Sequence, residues 1–217
     1  MSLLDTVTSY FGKRNFSDLC DEERAEKLDP GARQILLALE DAGFEGYVVG
    51  GCVRDLMMGK VPHDWDITTS ARPEDTLRVA ASQGWKAIDG GGRRFGTVIV
   101  VVGQENYEVT TFRSEVYGQD AHRPQEISFA DTLEEDLMRR DFTVNAMALD
   151  ASGHLYDYFQ GAKDMAKKRL RTVGDAKERF SEDALRLFRA CRFVGQLDFL
   201  ADPSLVDGMA SAFERVK

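Results

Sequence analysis

Apolar residues recur along this chain with two distinct periods, and the change of period marks out its elements. Residues 1–29 are polar and mixed, with Asp21-Glu22-Glu23-Arg24 predicted on a loose helix that carries no chemistry. After Pro30 the positions Ile35, Leu36, Leu39 and Ala42 keep a 3.6-residue spacing, which predicts a helix ended by Gly43. The run Tyr47-Val48-Val49 reads as a short buried strand, Gly50-Gly51 as a turn, and Val53 to Met58 as a short helix. His63 to Thr69 reads as a strand, and Arg72-Pro73-Glu74 opens a helix that buries Leu77, Val79 and Ala80. Trp85 to Ile88 reads as a strand leading to Gly90-Gly91-Gly92. The β-branched runs Phe95 to Val102 and Asn106 to Phe112, joined by Gly103-Gln104-Glu105, predict a hairpin. Arg113 to Phe129 follows neither period and reads as a long loop, mobile or functional. Beyond Tyr156 the character changes: a turn over Asp157 to Gly161 and Lys163-Asp164, a strand over Arg169 to Val173, and helix almost throughout after Asp175. Within that helical part, a helix capped by Ser181 is predicted to bury Ala184, Leu187, Phe188, Cys191 and Val194.

Composition narrows the class. With 43% hydrophobic and 10% aromatic residues, 217 residues suffice for a packed core in one domain with an appendage, or in two small domains. No signal peptide and no apolar run long enough to span a bilayer is visible, so the expected setting is the cytoplasm. Cys20, Cys52 and Cys191 are far apart and odd in number, which suits neither a disulfide framework nor a zinc site. His63, His122 and His154 are scattered, which argues against a zinc or nucleophile enzyme. A net charge of −9 argues against a chain that simply coats nucleic acid, so any RNA contact must come from local basic patches.

The candidate chemistry is concentrated in four stretches. A strand, Gly50-Gly51 and a helix start make a cradle for phosphate, because unpaired backbone N–H groups point outward there. Asp64 and Asp66, two apart on a predicted strand, project from one side with carboxyls within roughly 7 Å. Like charges that close favour a cation between them, and Mg²⁺ prefers carboxylate oxygen plus substrate phosphate. Glu108 is the one acid in its predicted strand and is either a solvated edge residue or a third carboxylate of a two-metal site. Arg139, Arg140, Asp141 and Asn145 stand among apolar residues; Arg suits phosphate, and Asp or Asn suits ribose hydroxyls, while a salt-bridged helix face is the plainer alternative. Asp183, Arg186 and Arg189 lie three apart. As a surface salt bridge the first pair is worth a few tenths of a kcal/mol. As a base reader, Asp183 would accept from the exocyclic amino group of cytosine or adenine while Arg186 donates to the ring nitrogen, and uracil or guanine would be mispaired.

Together these residues resemble the class II tRNA nucleotidyltransferases, the CCA-adding enzymes, and the related bacterial poly(A) polymerases. Gly50-Gly51-Cys-Val-Arg54-Asp55 with Asp64-Trp-Asp66 is similar to the family's diglycine and metal motif, and Arg139-Arg140-Asp141-Phe-Thr-Val-Asn145-Ala to its ribose motif. Asp157, Gly161 and Lys163-Asp164 fall where the family has a hinge-like turn, and Glu182-Asp183-Ala-Leu-Arg186-Leu-Phe-Arg189 where it has its base-selecting helix. The resemblance runs over roughly residues 30–200.

It implies an α+β fold: a polymerase β-like nucleotidyltransferase head with a mixed β-sheet over residues 30–155, then an all-α neck over 156–217, with 1–29 as an N-terminal extension. It implies transfer of a nucleoside monophosphate from CTP or ATP to a tRNA 3′ end with release of pyrophosphate. Asp64 and Asp66 would hold two Mg²⁺ ions with Glu108 as third catalytic carboxylate; Gly50, Gly51 and Arg54 would face the phosphates; Arg140, Asp141 and Asn145 would hold ribose and triphosphate; Asp183 and Arg186 would read the base, supported by Arg189. Family members are roughly twice as long, so the chain is expected to be a head-and-neck portion without body and tail. Gly92-Arg93-Arg94-Phe95 looks like the poly(A)-adding subgroup, whereas Gly96-Thr97-Val98 looks like CCA-adding members. Poly(A) addition, CC-only or A-only addition, and an inactive nucleotide- or RNA-binding fragment are the alternatives.

Overall fold

The computed structural model describes residues 15–88, 96–117, 124–183 and 185–213. A short helix α1 (Asp21–Ala25) precedes α2 (Pro30–Asp41). Asp29 caps α2, its Oδ1 accepting from Gly31 N and Ala32 N at 2.9 Å each, and Pro30 supplies a first turn with no donor to lose. The sheet strands follow: β1 (Gly46–Val49), then helix α3 (Gly51–Met57), β2 (Asp66–Thr69), helix α4 (Pro73–Ser82), β3 (Lys86–Ile88), β4 (Thr97–Val102) and β5 (Glu105–Thr111). A ribbon of β6 (Arg113–Tyr117) and β7 (Pro124–Phe129) stands apart from the sheet, before α5 (Leu133–Met138). Two-residue strands β8 (Ala148–Leu149) and β9 (Leu155–Tyr156) complete the seven-stranded sheet, whose order is β3-β4-β5-β2-β1-β8-β9. The β2–β5 pair is parallel and the rest antiparallel, so the sheet is mixed as expected.

Strand alternation gives each face its own core. Val48, Ile67, Val98, Val100, Tyr107 and Val109 pack under α2 and α4 with Ile35, Leu36 and Leu39. Phe16 and Leu28 join that core from the N-terminal segment. Tyr47, Val49 and Phe112 turn the other way and meet Leu133 and Leu137 of α5 together with Ala146 and Ala148. Asp66 and Thr68 share this second face, because Ile67 between them belongs to the first.

The chain continues through α6 (Gly161–Ala166), β10 (Arg169–Leu170), α7 (Ala176–Glu182), α8 (Leu185–Leu197), β11 (Leu200–Ala201) and α9 (Pro203–Ala212). Their core is Leu170, Phe180, Leu187, Phe193, Leu197, Phe199 and Leu205, into which Phe142 and Val144 insert from the segment after α5. Gly208 lets α9 approach α7 closely: a Cβ there would stand 2.6 Å from that of Ala176. The fully buried Asp164 ties this part to the head, accepting from Thr143 Oγ1 at 2.7 Å, Arg169 Nη2 at 2.6 Å and Arg171 Nε at 2.9 Å.

Several expectations need correction. Within the stretch expected to be a loop, Arg113–Tyr117 and Pro124–Phe129 pair as an antiparallel ribbon, with Ser114 and Ser128 hydroxyls 2.7 Å apart. A two-stranded ribbon held by its own ladder needs no apolar alternation, so periodicity did not reveal it. Lys163 and Asp164 lie in α6 rather than in a turn; the turn before it is closed by Asp157, which accepts from Gly161 N at 2.7 Å. The strand after Lys168 spans only Arg169–Leu170. Ser181 does not open a helix: it lies inside α7, whose N-cap is Asp175, and donates to Glu178 O at 2.7 Å. The helical run breaks at Asp183, which shifts the buried stripe of α8 to Arg186, Leu187, Ala190, Phe193 and Leu197 and leaves Phe188 and Cys191 exposed. Gly90 to Phe95 lies outside the described residues.

Replacing Asp164 by Ala leaves Arg169 and Arg171 without their common counter-charge, and is expected to cost about 3 kcal/mol. Urea unfolding followed by circular dichroism measures this, with a smaller loss expected for Asp164→Asn.

Candidate functional site

Where the second face of the sheet meets α8, a cleft of about 490 Å³ opens. Gly50, Gly51, Arg54, Asp66, Arg140, Asp141, Asn145, Asp183, Arg186 and Arg189 all line it, though they come from four separate stretches. Arg113, Arg139 and Phe193 complete the wall. Asp64 and Glu108 are not among the lining residues.

The diglycine turn is built for proximity. Gly50 has φ of 84°, a left-handed conformation costly for any side chain, and a Cβ would stand 3.1 Å from Arg140 Nη1. Gly51 begins α3, and a Cβ there would meet only Arg54 Nη2, at 3.6 Å. One turn along α3, the buried Arg54 donates Nη1 to Asn145 Oδ1 at 2.8 Å and Nη2 to Asp55 Oδ1 at 2.8 Å.

Asn145 passes the connection on. Its Nδ2 donates to Asp141 Oδ1 at 3.2 Å, and the other oxygen of the buried Asp141 receives Arg189 Nε at 2.7 Å. A single polar chain, Asp55–Arg54–Asn145–Asp141–Arg189, therefore spans the cleft from α3 to α8. The salt-bridged helix face considered for this stretch forms in part, from Arg139 and Arg140 to Asp136, but that carboxylate is buried, and Asn145 sits beyond it in a one-turn 3₁₀ segment over Thr143–Asn145, itself buried.

Arg186 is 6% exposed and donates to Arg179 O at 3.2 Å, to Arg139 O at 3.1 Å and to the Glu182 carboxylate. Asp183 does not bridge Arg186 through its side chain in the hydrogen bonds seen; its Oδ1 accepts from Leu185 N at 2.8 Å at the start of α8. The i, i+3 surface salt bridge considered for the pair is replaced by an i, i+4 bridge from Glu182.

Of the three predicted acidic residues Asp64, Asp66 and Glu108, Asp66 alone lines the cleft. Asp66 pairs in register with Glu108 on the neighbouring parallel strand, so both side chains leave the same face. Glu108 is therefore on an interior strand, flanked by β4 and β2, and not on an edge. Asp64 precedes β2 and is exposed; the ladder with β5 begins only at Asp66, so strand alternation does not place it. Among the described residues no group of three His, Cys, Asp or Glu side chains is set to enclose a metal ion. The Asp66 carboxyl, open on the cleft side with protein beneath, is nonetheless raised above the usual carboxylate range, first by burial and then by the charges of Glu108 and Asp64, against the pull of Arg140. Negative charge gathered in that way is what a hard cation relieves, and the oxygen donors suit Mg²⁺. Cys52, beneath the turn, is pushed up to about 12 by burial and then by Asp66, which removes it as a nucleophile at neutral pH.

Sequence reasoning missed four contributors. Asp136, fully buried, sits under Arg139 and Arg140; burial raises its carboxyl, but Arg140 and Arg139 outweigh that and hold it below the usual range. Its spacing to those arginines was visible but reads like any helical surface pair. Glu182 stands four residues before Arg186, a signal of the same kind. Phe193 stacks under Arg54 with 5.4 Å from guanidinium carbon to ring centre, and Arg113 leaves the end of the sheet; neither carries a local signal.

The sequence profile of the poly A polymerase head domain matches residues 46–171. The CCA-adding enzyme of Lactobacillus helveticus is 52% identical over 168 residues, covering 77% of this chain and 41% of that protein. The crystal structure of Bacillus stearothermophilus CCA-adding enzyme in complex with CTP has a TM-score of 0.74 at 42% identity, covering 83% of this chain and 43% of its own. A tRNA nucleotidyltransferase complexed with a primer tRNA and an incoming ATP analog gives 0.67 at 30% identity, covering 84% of this chain and 50% of that one. The chain thus spans about two-fifths to one-half of the length of these relatives.

Gly50→Ala is expected to cost about 1–2 kcal/mol from its left-handed backbone alone, whereas Gly51→Ala is expected to be neutral or slightly stabilising; paired denaturation curves test both. Asp136 gives a pH signature. Its folded carboxyl titrates below the unfolded value of about 3.9, so its contribution is complete above that value and is lost as pH falls through the folded pKa. Urea titrations at stepped acidic pH should show a shallower decline for Asp136→Asn than for the wild type.

Proposed function

Because the chain belongs to the poly A polymerase head domain family, we propose that it forms the nucleotide-binding head and neck of a template-independent RNA nucleotidyltransferase that completes tRNA 3′ ends with C and A. The substrates are CTP, ATP and the tRNA 3′-hydroxyl, and the product released is pyrophosphate. The observation that carries the reading is the polar chain across the cleft. It joins the diglycine helix, the Asp141–Asn145 segment and α8 into one pocket of the size and donor set a nucleoside triphosphate requires. Relatives named CCA-adding enzymes, one of them described with CTP, support the choice of product.

Each role follows from chemistry already described. Arg139 and Arg140 meet the triphosphate beside the Gly50–Gly51 turn, whose missing side chains let the phosphates approach the backbone. Asp141 and Asn145 are held at fixed orientation and offer acceptor and donor groups to the ribose. Asp183, with one oxygen on Leu185 N, accepts from the amino group of cytosine or adenine. Arg186, fixed by Glu182 and two carbonyls, donates to the ring nitrogen, and Arg189 supports through Asp141. Asp64 and Asp66, with Glu108 in register beside Asp66, would hold two Mg²⁺ ions, which when bound make the 3′-hydroxyl more acidic and steady the departing pyrophosphate. The proposed place of action is the cytoplasm, where unpaired Cys20, Cys52 and Cys191 remain reduced.

Incubation of the chain with tRNA lacking CCA, Mg²⁺ and CTP plus ATP is expected to give products ending at CCA, resolved to single nucleotides. Long A tails would instead identify a poly(A) polymerase. Titration calorimetry should show Mg²⁺-dependent binding of CTP and ATP over UTP and GTP, and equal binding of all four would refute base selection. Asp66→Asn is expected to reduce addition at least about 100-fold, the upper range seen for loss of even an outer partner of a metal ligand.

A further inference from the structure

Asp136 lies beneath the cleft without lining it, and every direction from its carboxylate leads to a part of the proposed site. Oδ2 receives Thr68 Oγ1 of β2 at 3.1 Å and Arg140 Nη2 at 3.3 Å. Oδ1 receives Arg113 N, at the root of the ribbon, at 3.2 Å and Arg139 Nε at 3.0 Å. Thr68 is two residues from Asp66 on the same face, and Arg140 extends from Asp136 to the diglycine turn. One carboxylate thus faces two guanidinium groups, both of which line the cleft. A carboxylate buried this deeply is a poor investment in stability alone, since an apolar residue there would avoid its desolvation.

We propose that Asp136 is the positioning residue for triphosphate: its buried carboxylate fixes Arg139 and Arg140 relative to the strand that carries Asp66 and to the root of the ribbon. It touches no substrate. It sets how well the phosphates are met, whereas base and ribose recognition belong to other residues of the cleft. This deepens the nucleotidyltransferase reading and rests on it.

The test compares CTP with CMP by calorimetry for the wild type, Asp136→Asn, Arg140→Gln and the double variant. Asp136→Asn is expected to weaken CTP about tenfold, one charge-assisted hydrogen bond's worth. It should leave CMP within about twofold, and its further effect once Arg140 is already Gln should be smaller than in the wild type, because only the anchoring of Arg139 is then left to lose. Equal losses for CTP and CMP, or additive losses in the double variant, would overturn the proposal. Should Asp136→Asn fail to fold, Thr68→Val removes one bond to the carboxylate while keeping side-chain shape, and the same selective loss for CTP is expected. A nucleotide-free readout separates this inference from the functional reading. The Arg139 Nε–H resonance should exchange slowly in the wild type and rapidly in Asp136→Asn or Thr68→Val. Rapid exchange in the wild type would overturn the positioning role. Slow exchange without CTP binding would refute the nucleotidyltransferase reading and leave the anchoring intact.

Discussion

The site exists as one cleft because Asn145 is held from both sides. Its carbonyl oxygen takes Arg54 from the helix after the diglycine turn, and its amide reaches Asp141, which in turn takes Arg189 from α8. Arg54 and Asp141 are each less than one-tenth exposed, so neither charge has water to fall back on. Removing Arg189 takes the counter-charge from the buried Asp141, which is much costlier than losing an exposed pair.

Charge is distributed to match. The chain as a whole carries −9, yet the cleft is lined by six arginines, Arg54, Arg113, Arg139, Arg140, Arg186 and Arg189, against Asp66, Asp141 and Asp183. The proposed triphosphate would therefore meet a locally basic pocket on an acidic protein, an arrangement that focuses an anionic ligand on one place. Arg139 and Arg140 are tethered by Asp136 beneath the cleft, Arg186 by Glu182, and Arg189 by Asp141 in its wall. Each tether limits the rotamer freedom that a long side chain would lose on binding, so less ordering remains to be done when ligand arrives.

Much of this was readable in the sequence because it depends on neighbours in the chain. Pro30 starts α2, β-branched runs became β4 and β5, and the alternation around Tyr107, Val109 and Thr111 left Glu108 on the outward face. The spacing of Arg140, Asp141 and Asn145, or of Asp183, Arg186 and Arg189, singled out residues that do line one cleft. The errors came where local rules are ambiguous. Ser181 satisfies the preferences of a cap, yet Asp175 took that role and the helix broke at Asp183; the ribbon after Phe112 carries no apolar period at all.

What the sequence determined by itself is therefore many of the elements, the candidate residues of each motif and the family, all of which follow from side-chain preference and short-range spacing. The tertiary structure alone decided which groups meet. Pairing of Asp66 with Glu108 depends on parallel strands joined by a long crossover, and the anchoring of Arg139 and Arg140 depends on Asp136 being buried against Thr68. A spacing of three or four residues looks the same whether its carboxylate faces water or protein, and only the packing of distant segments fixes which.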